Sequence, residues 1–304
     1  MAAMYHYVRD PAGSDFPGLN ALHPSAFRAQ LSELIARYEI VGLEAMLEFL
    51  AGRYRPARDL CVLTFDDGLA DHYRTVLPML RERRVLGLFF IITAAVEEQR
   101  VLPVHKAHFL MAGLGFAEHR RRLLGCLGDE RAAVEARLDM AEVRRTYRWD
   151  TPEVARFKFF VNFCLEPGVR KAVLDRCFAD HFGDEAAFAR CLYMTWDEVR
   201  ELEAAGMAVG GHSHEHRALA ELSPAQVGAD VGRCAALLRS RLGARSAMPF
   251  SYPYGKASSL TDHAALGVRA AGFVCAFTTE PGGNPAGQDL YRLRRTDTKE
   301  LAHA

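Results

Sequence analysis

A chain of 304 residues can bury a sizeable core, as one large domain or two ordinary ones. Half of its residues are apolar and a quarter charged, and 38 basic side chains balance 38 acidic ones. Zero net charge excludes a broad nucleic-acid groove or a polybasic membrane face, both of which need an excess of cations, but leaves room for a local basic pocket.

The first residues, MAAMYHYVRDP, contain no charged-then-apolar export segment. The most apolar stretch, residues 85–96, is interrupted by Gly87 and too short to span a bilayer. Seven scattered cysteines without a CxxC pair read as free thiols in a reducing compartment, so a cytoplasmic protein is expected. Met4–Val8 is a short aromatic and apolar strand around His6, a histidine that by default would be a satisfied core residue.

Residues 60–65, LCVLTF, form a buried strand that ends in Asp66-Asp67-Gly68. A helical pattern over 70–84 and a second apolar strand over 87–93 follow, a strand–helix–strand unit that implies a parallel sheet. From about 97 to 190 the rhythm changes to nearly continuous helix with apolar positions three and four apart, which reads as an inserted helical cap within one domain spanning 1–304. Thr195-Trp-Asp-Glu198 is a capping box for a short helix stopped by Gly206, and Met207–Gly211 is a strand running into a histidine cluster. Ser223-Pro-Ala-Gln226 opens a further helix. Residues 247–252, 259–271 and 272–278 read as strand, helix and strand. These β–α repeats favour a β/α barrel or an open doubly wound sheet.

Chemistry concentrates at the strand ends, where parallel β/α folds place their active sites. At Asp66-Asp67 adjacent side chains diverge, so one carboxylate can hold a cation while the other faces a substrate; the plain alternative is a helix-capping turn. In Gly211-His-Ser-His-Glu-His216, the four-residue spacing of His212 and His216 would place both imidazoles on one side of a helical turn, with His214 pointing elsewhere. One Asp and two His give three protein ligands and an open fourth position, the pattern of a catalytic metal site that acidifies bound water and polarises a carbonyl. Zn²⁺ suits two imidazoles best; Co²⁺, Ni²⁺ and Fe²⁺ accept the same ligands. Phe250-Ser-Tyr-Pro-Tyr-Gly255 is a rigid turn able to aim a backbone N–H at an oxyanion. Within the helical stretch, His105, Lys106 and His108 could meet a phosphate or carboxylate, the alternative being an ordinary helix start.

The ordered set TFDDG, HSHEH and YPYG resembles the polysaccharide deacetylase family, the NodB-homology or carbohydrate esterase 4 group, over roughly residues 1–93 and 191–300. The resemblance implies an α/β fold, a distorted (β/α) barrel of fewer than eight strands. It also implies Asp66 as general base, Asp67, His212 and His216 as metal ligands, and Tyr254 as the residue whose backbone amide completes the oxyanion hole. Two features depart from the family. Ser251 stands where an Arg usually orients the base, with Arg292, Arg294 or Arg295 as candidate substitutes. The usual late acid His is absent, and the N-terminal Tyr5-His6 resembles a rearranged form that supplies it, with His105 or His214 next in line. Tyr252 and Arg294, with His105 and Lys106, complete the candidate substrate-binding set.

The activity so implied is hydrolysis of the N-acetyl amide of an amino sugar, with Asp66 and His6 as an acid–base pair. The substrate expected from a cytoplasmic location is a nucleotide sugar or a lipid-linked glycan, such as an O-antigen or capsule precursor, with the helical region as a lid. Alternatives are a deformylase of a formamido sugar and an inactive, glycan-binding relative.

Overall fold

A computed structural model describes residues 1–127, 138–243 and 247–301 of the chain. It divides into two compact units, one of residues 1–10, 21–100 and 189–304, the other of 11–20 and 101–188.

The first unit is built on a parallel sheet. Its strands are β1 (Ala2–Tyr5), β2 (Glu39–Ile40), β3 (Leu60–Phe65), β4 (Leu88–Ile91), β5 (Ala208–Gly211), β6 (Pro249–Ser251), β7 (Cys275–Phe277) and β8 (Thr296–Asp297). They run in the order β7-β6-β5-β4-β3-β1-β8, with β2 paired to β3 off that path. The sheet curls back on itself. Leu293 bridges Phe277 of β7, Leu293 N–H donates to Ala276 O and Thr278 N–H donates to Leu293 O, and three residues later the same segment joins β1 through β8. Residues 290–297 thus act as the last stave of a distorted β/α barrel. The strand at 60–65 has the bounds its apolar run predicts, and those at 87–93, 207–211, 247–252 and 272–278 stand where their runs place them, each shorter. β2 and β8 are two-residue strands, too short to show a periodicity.

Period-two alternation sorts the side chains. Leu60 and Val62 share an apolar cluster with Ala2, Leu88, Phe90, Cys275, Phe277 and Leu293. Thr64 and then Asp66 follow on the same face, above that floor. On the opposite face Phe65 stacks between Tyr5 and Phe89, at 5.2 and 4.7 Å between ring centres. The register pairs Tyr5 with Phe65. His6 therefore continues the row of Ala2 and Met4 just as Asp66 continues that of Val62 and Thr64.

Helices cover the sheet: α1 (Pro24–Arg37), α2 (Leu43–Leu50), α3 (Leu77–Arg83) and α4 (Thr93–Glu98). The helix expected over 70–84 begins as a π-turn at His72–Val76 before α3. The second unit holds α5 (Pro103–Leu114), α6 (Phe116–Leu127), α7 (Met140–Thr146), α8 (Pro152–Phe159) and α9 (Pro167–Phe182), followed by α10 (Glu185–Leu192) at its border. Its core includes Phe16, Phe109, Phe178, Phe182 and Phe188, whose rings meet edge-on or tilted. Residues 11–20 join this unit, which the helical pattern alone does not suggest, and residues 128–137 of the expected helical stretch lie outside the described residues.

In the first unit again, α11 (Trp196–Ala204) starts at the Thr195–Glu198 capping box. The next two helices are α12 (Pro224–Leu242), capped by Ser223 and Gln226, and α13 (Asp262–Ala270). A last short helix, α14 (Thr298–Leu301), follows β8. No helix among the described residues is long and apolar enough to cross a membrane.

Candidate active site

The ends of β3, β5 and β6 converge on one group of side chains. Asp67, His212 and His216 are all buried and bring one ligand atom each to within 4.8 Å of one another. His212 Nε2 lies 3.4 Å and His216 Nε2 3.6 Å from Asp67 Oδ1. His212 Nδ1 sits 2.7 Å from the Ser251 carbonyl oxygen. A carbonyl only accepts, so Nδ1 carries the proton and the Nε2 lone pair faces Asp67, the tautomer and outer-sphere support of a metal-bound imidazole. Burial alone would depress the His212 pKa, yet the Asp66 and Asp67 carboxylates raise it, a field that equally favours a cation. Two imidazole nitrogens and a carboxylate oxygen in a buried site fit a divalent transition metal.

The imidazoles do not meet by way of a helical turn. Residues 212–216 form an irregular loop, with Ser213 and His216 in the left-handed region at φ 60° and 52°. Asp230 of α12 accepts the His214 and Glu215 N–H groups at 2.9 and 3.0 Å, and Ser213 Oγ accepts that of His216 at 2.9 Å. His214 does point away, bonding Thr93 Oγ1 through Nδ1 at 2.9 Å. Its Nε2, with Glu98 and Glu215, forms a second group of possible ligand atoms. There Arg100 pairs with both carboxylates and Arg233 with Glu98, so that group's charge is already balanced.

Asp66 and Asp67 diverge, with Asp67 at φ 80° and Gly68 at 67°. Asp66 turns to a fully buried guanidinium: Arg295 donates from its two terminal nitrogens to Oδ1 at 2.8 Å and Oδ2 at 2.7 Å. The same guanidinium donates to Thr64 Oγ1, Ser251 Oγ and Thr278 O, and Ser251 Oγ donates to Asp66 Oδ2 at 3.2 Å. Burial would raise the Asp66 pKa, but Arg295, with His212 and His6, holds it down at about 2. Among the three candidate arginines, Arg295 is the one on Asp66, and Ser251 joins the pair. Leu293 faces inward against β7, so alternation turns Arg294 out and Arg295 in. Arg294 lies exposed beside Gly282, its backbone tied to Asn284.

His6, just past the end of β1, is half exposed and lies 3.9 Å from Asp66 Oδ2 through Nε2. Tyr254 sits in a turn at φ 62°, its ring 5.2 Å from that of His216 and its carbonyl accepting from Thr279 Oγ1. Gly255 is required there, since a Cβ would lie 2.7 Å from Thr279 N. Tyr252 is buried, its hydroxyl donating to Tyr291 O at 3.1 Å. In the second unit His105 and Lys106 are buried rather than at a solvated helix start. The Lys106 ammonium is engaged by Asp175 and Glu185 at 2.5 and 2.7 Å.

The profile of the polysaccharide deacetylase family matches residues 53–142 and 172–273, reaching into the helical stretch that the three motifs leave unexplained and stopping short of His6 and Arg295. Among solved structures, IcaB from Ammonifex degensii is 20% identical with a TM-score of 0.60, over 99% of this chain and 93% of its own. The Streptococcus pyogenes deacetylase PplD in complex with acetate is 16% identical with a TM-score of 0.59, over 97% and 90%. The BpsB deacetylase domain from Bordetella bronchiseptica is 17% identical with a TM-score of 0.56, over 97% and 94%. No curated protein matched. With its motifs on the strand ends of a NodB-type barrel and most of its length under the family profile, the chain belongs to the polysaccharide deacetylases, hydrolases of carbon–nitrogen amide bonds.

Proposed function

We propose that the protein is a metal-dependent N-deacetylase that hydrolyses the N-acetyl amide of an amino sugar. The observation that carries this reading is the convergence of Asp67, His212 and His216 beside a separate carboxylate, Asp66, held by Arg295. Asp67, His212 and His216 would hold a divalent cation, Zn²⁺ by preference for two imidazoles, which would supply Lewis acidity at the site. Asp66, ionised at all working pH values, takes the proton from the attacking water. The Tyr254 N–H, in the turn fixed by Gly255, stabilises the oxyanion. His6 Nε2 gives its proton to the departing amine nitrogen. Its place on the Asp66 row, 3.9 Å away, suits a donor acting in one site with that base.

The bond of Arg295 to Asp66 supports an active enzyme over an inactive, glycan-binding relative, since Arg295 can take the place of the base-orienting Arg that Ser251 displaces. The acetate in the similarly folded PplD structure supports acetyl as the acyl group. Seven free thiols favour a reducing compartment and thus an intracellular glycan precursor, carried on a nucleotide or a lipid.

The test is release of acetate, against formate from matched N-formyl substrates, from amino-sugar oligosaccharides and nucleotide sugars. Zn²⁺- or Co²⁺-loaded protein is expected to release acetate, with activity abolished by a chelator and by Asp67→Ala or Asp66→Asn. A metal-loaded protein that binds these sugars yet releases neither acid overturns the reading; formate alone would redirect it to a deformylase.

A further inference from the structure

His6 lies one residue beyond β1, so the sheet ladder that ends with Asp66 N–H donating to Tyr5 O does not hold it. Its imidazole is half exposed, and the contact found for it is the 3.9 Å approach to Asp66. Something in the main chain must therefore set where that ring points.

The loop after the two aspartates does this. Buried His72 bonds the His6 carbonyl oxygen through Nε2 at 2.9 Å; the carbonyl only accepts, so Nε2 is the protonated nitrogen. Asp71 accepts the Val8 N–H on Oδ2 at 3.2 Å. The Arg9 guanidinium grips both oxygens of that carboxylate, at 2.8 Å from Nε and 2.7 Å from a terminal nitrogen. On the other side, Leu22 N–H donates to Tyr7 O and Arg9 N–H to Leu22 O. Residues 6–9 are thus fastened at three points to the segment that begins with Asp66 and Asp67.

We infer that Asp71, Arg9 and His72 form a clamp that fixes the proton donor His6 in register with the base and the metal ligand, so that Arg9 and Asp71 are positioning residues for departure of the amine. The inference rests on the reading of His6 as the general acid. A donor displaced by about 1 Å loses roughly 100-fold in rate, because proton transfer depends steeply on alignment. An aryl ester needs no such proton, since its phenolate leaves unaided.

The experiment compares wild type, Arg9→Ala, Arg9→Lys, Asp71→Asn and His6→Ala on an N-acetylated amino-sugar oligosaccharide and on 4-nitrophenyl acetate. Metal content is measured for each. Arg9→Ala and Asp71→Asn are expected to lower kcat on the amide about 10- to 100-fold, the scale of a misplaced acid. Their KM, bound metal and ester hydrolysis should stay within about twofold of wild type, since neither side chain belongs to the ligand triad. Arg9→Lys, which restores one charge but not the fork, should recover part of the loss. Unchanged amide turnover in both variants, or equal losses on amide and ester, overturns the clamp. Full amide activity in His6→Ala would instead remove the reading of His6 on which it rests. Should Asp71→Asn fail to fold, the partly exposed Arg9→Ala still decides.

Discussion

Asp66 is the residue on which chemistry and stability meet. Replacing Arg295 with Met leaves its carboxylate buried with Ser251 as a much weaker partner, and losing one side of a buried pair costs about 3–5 kcal/mol. Arg295→Met is therefore expected to lower the chemical denaturation midpoint strongly and kcat by at least about 100-fold, read by urea unfolding and acetate release. The same geometry sets a pH dependence. The folded Asp66 pKa is depressed, so its stabilisation is present above the ordinary carboxylate range and fades as pH falls toward 2. The amount is about 2 kcal/mol from the linkage relation. In metal-free protein this acid-side loss should shrink or disappear in Arg295→Met, because without the guanidinium burial pushes the folded Asp66 pKa up toward its unfolded value, measured by unfolding between about pH 2 and 5, the window linking folded and unfolded values; identical curves would show that Arg295 does not hold the carboxylate. Asp66, Asp67, His212 and His216 were legible as residue types at strand ends. Arg295 was only one of three arginines in a four-residue run, because its selection depends on Leu293 facing β7, a register fact the local sequence does not carry.

The HSHEH segment shows how a correct spacing can be met by another geometry. Four residues apart suggested one helical turn; the chain instead makes a left-handed kink at Ser213 and another at His216, which non-glycine residues enter at a cost. Asp230 offsets that cost by taking two consecutive amides on its two oxygens. Asparagine offers only one acceptor oxygen, so Asp230→Asn should loosen the loop that orients both imidazoles. Metal affinity is expected to fall about 10- to 100-fold, the usual effect of outer-sphere substitutions, as measured by competition with a chromogenic chelator. An unchanged affinity would assign Asp230 to the packing of α12 alone. Strand and helix identities were readable where apolar period and caps agreed, as at Thr195 and Ser223. The two-residue strands were not, since pairing alone defines them.

At the scale of the molecule, the sheet's two margins are joined by residues 290–297, and one turn of that segment carries both the closing contact of Leu293 and the guanidinium of Arg295. Cleavage after Asp289, with the fragment removed, should abolish deacetylation while His212, His216 and Asp67 still bind metal; retained turnover would separate ring closure from the base. The β–α rhythm left a β/α barrel and an open doubly wound sheet both open, and the resemblance of the three motifs to the deacetylase family pointed to the barrel. The course of the closing stave was not legible, because its partners lie in β7 and β1, about 270 residues apart in sequence.

Timing follows from where that stave lies. A nascent chain on the ribosome would display both aspartates and both imidazoles well before residue 295 emerges, and during that interval Asp66 would lack its guanidinium counter-charge. Hydrolytic competence would then wait until residue 295 had emerged and the ring had shut, well after the residues at 66–67 and 212–216.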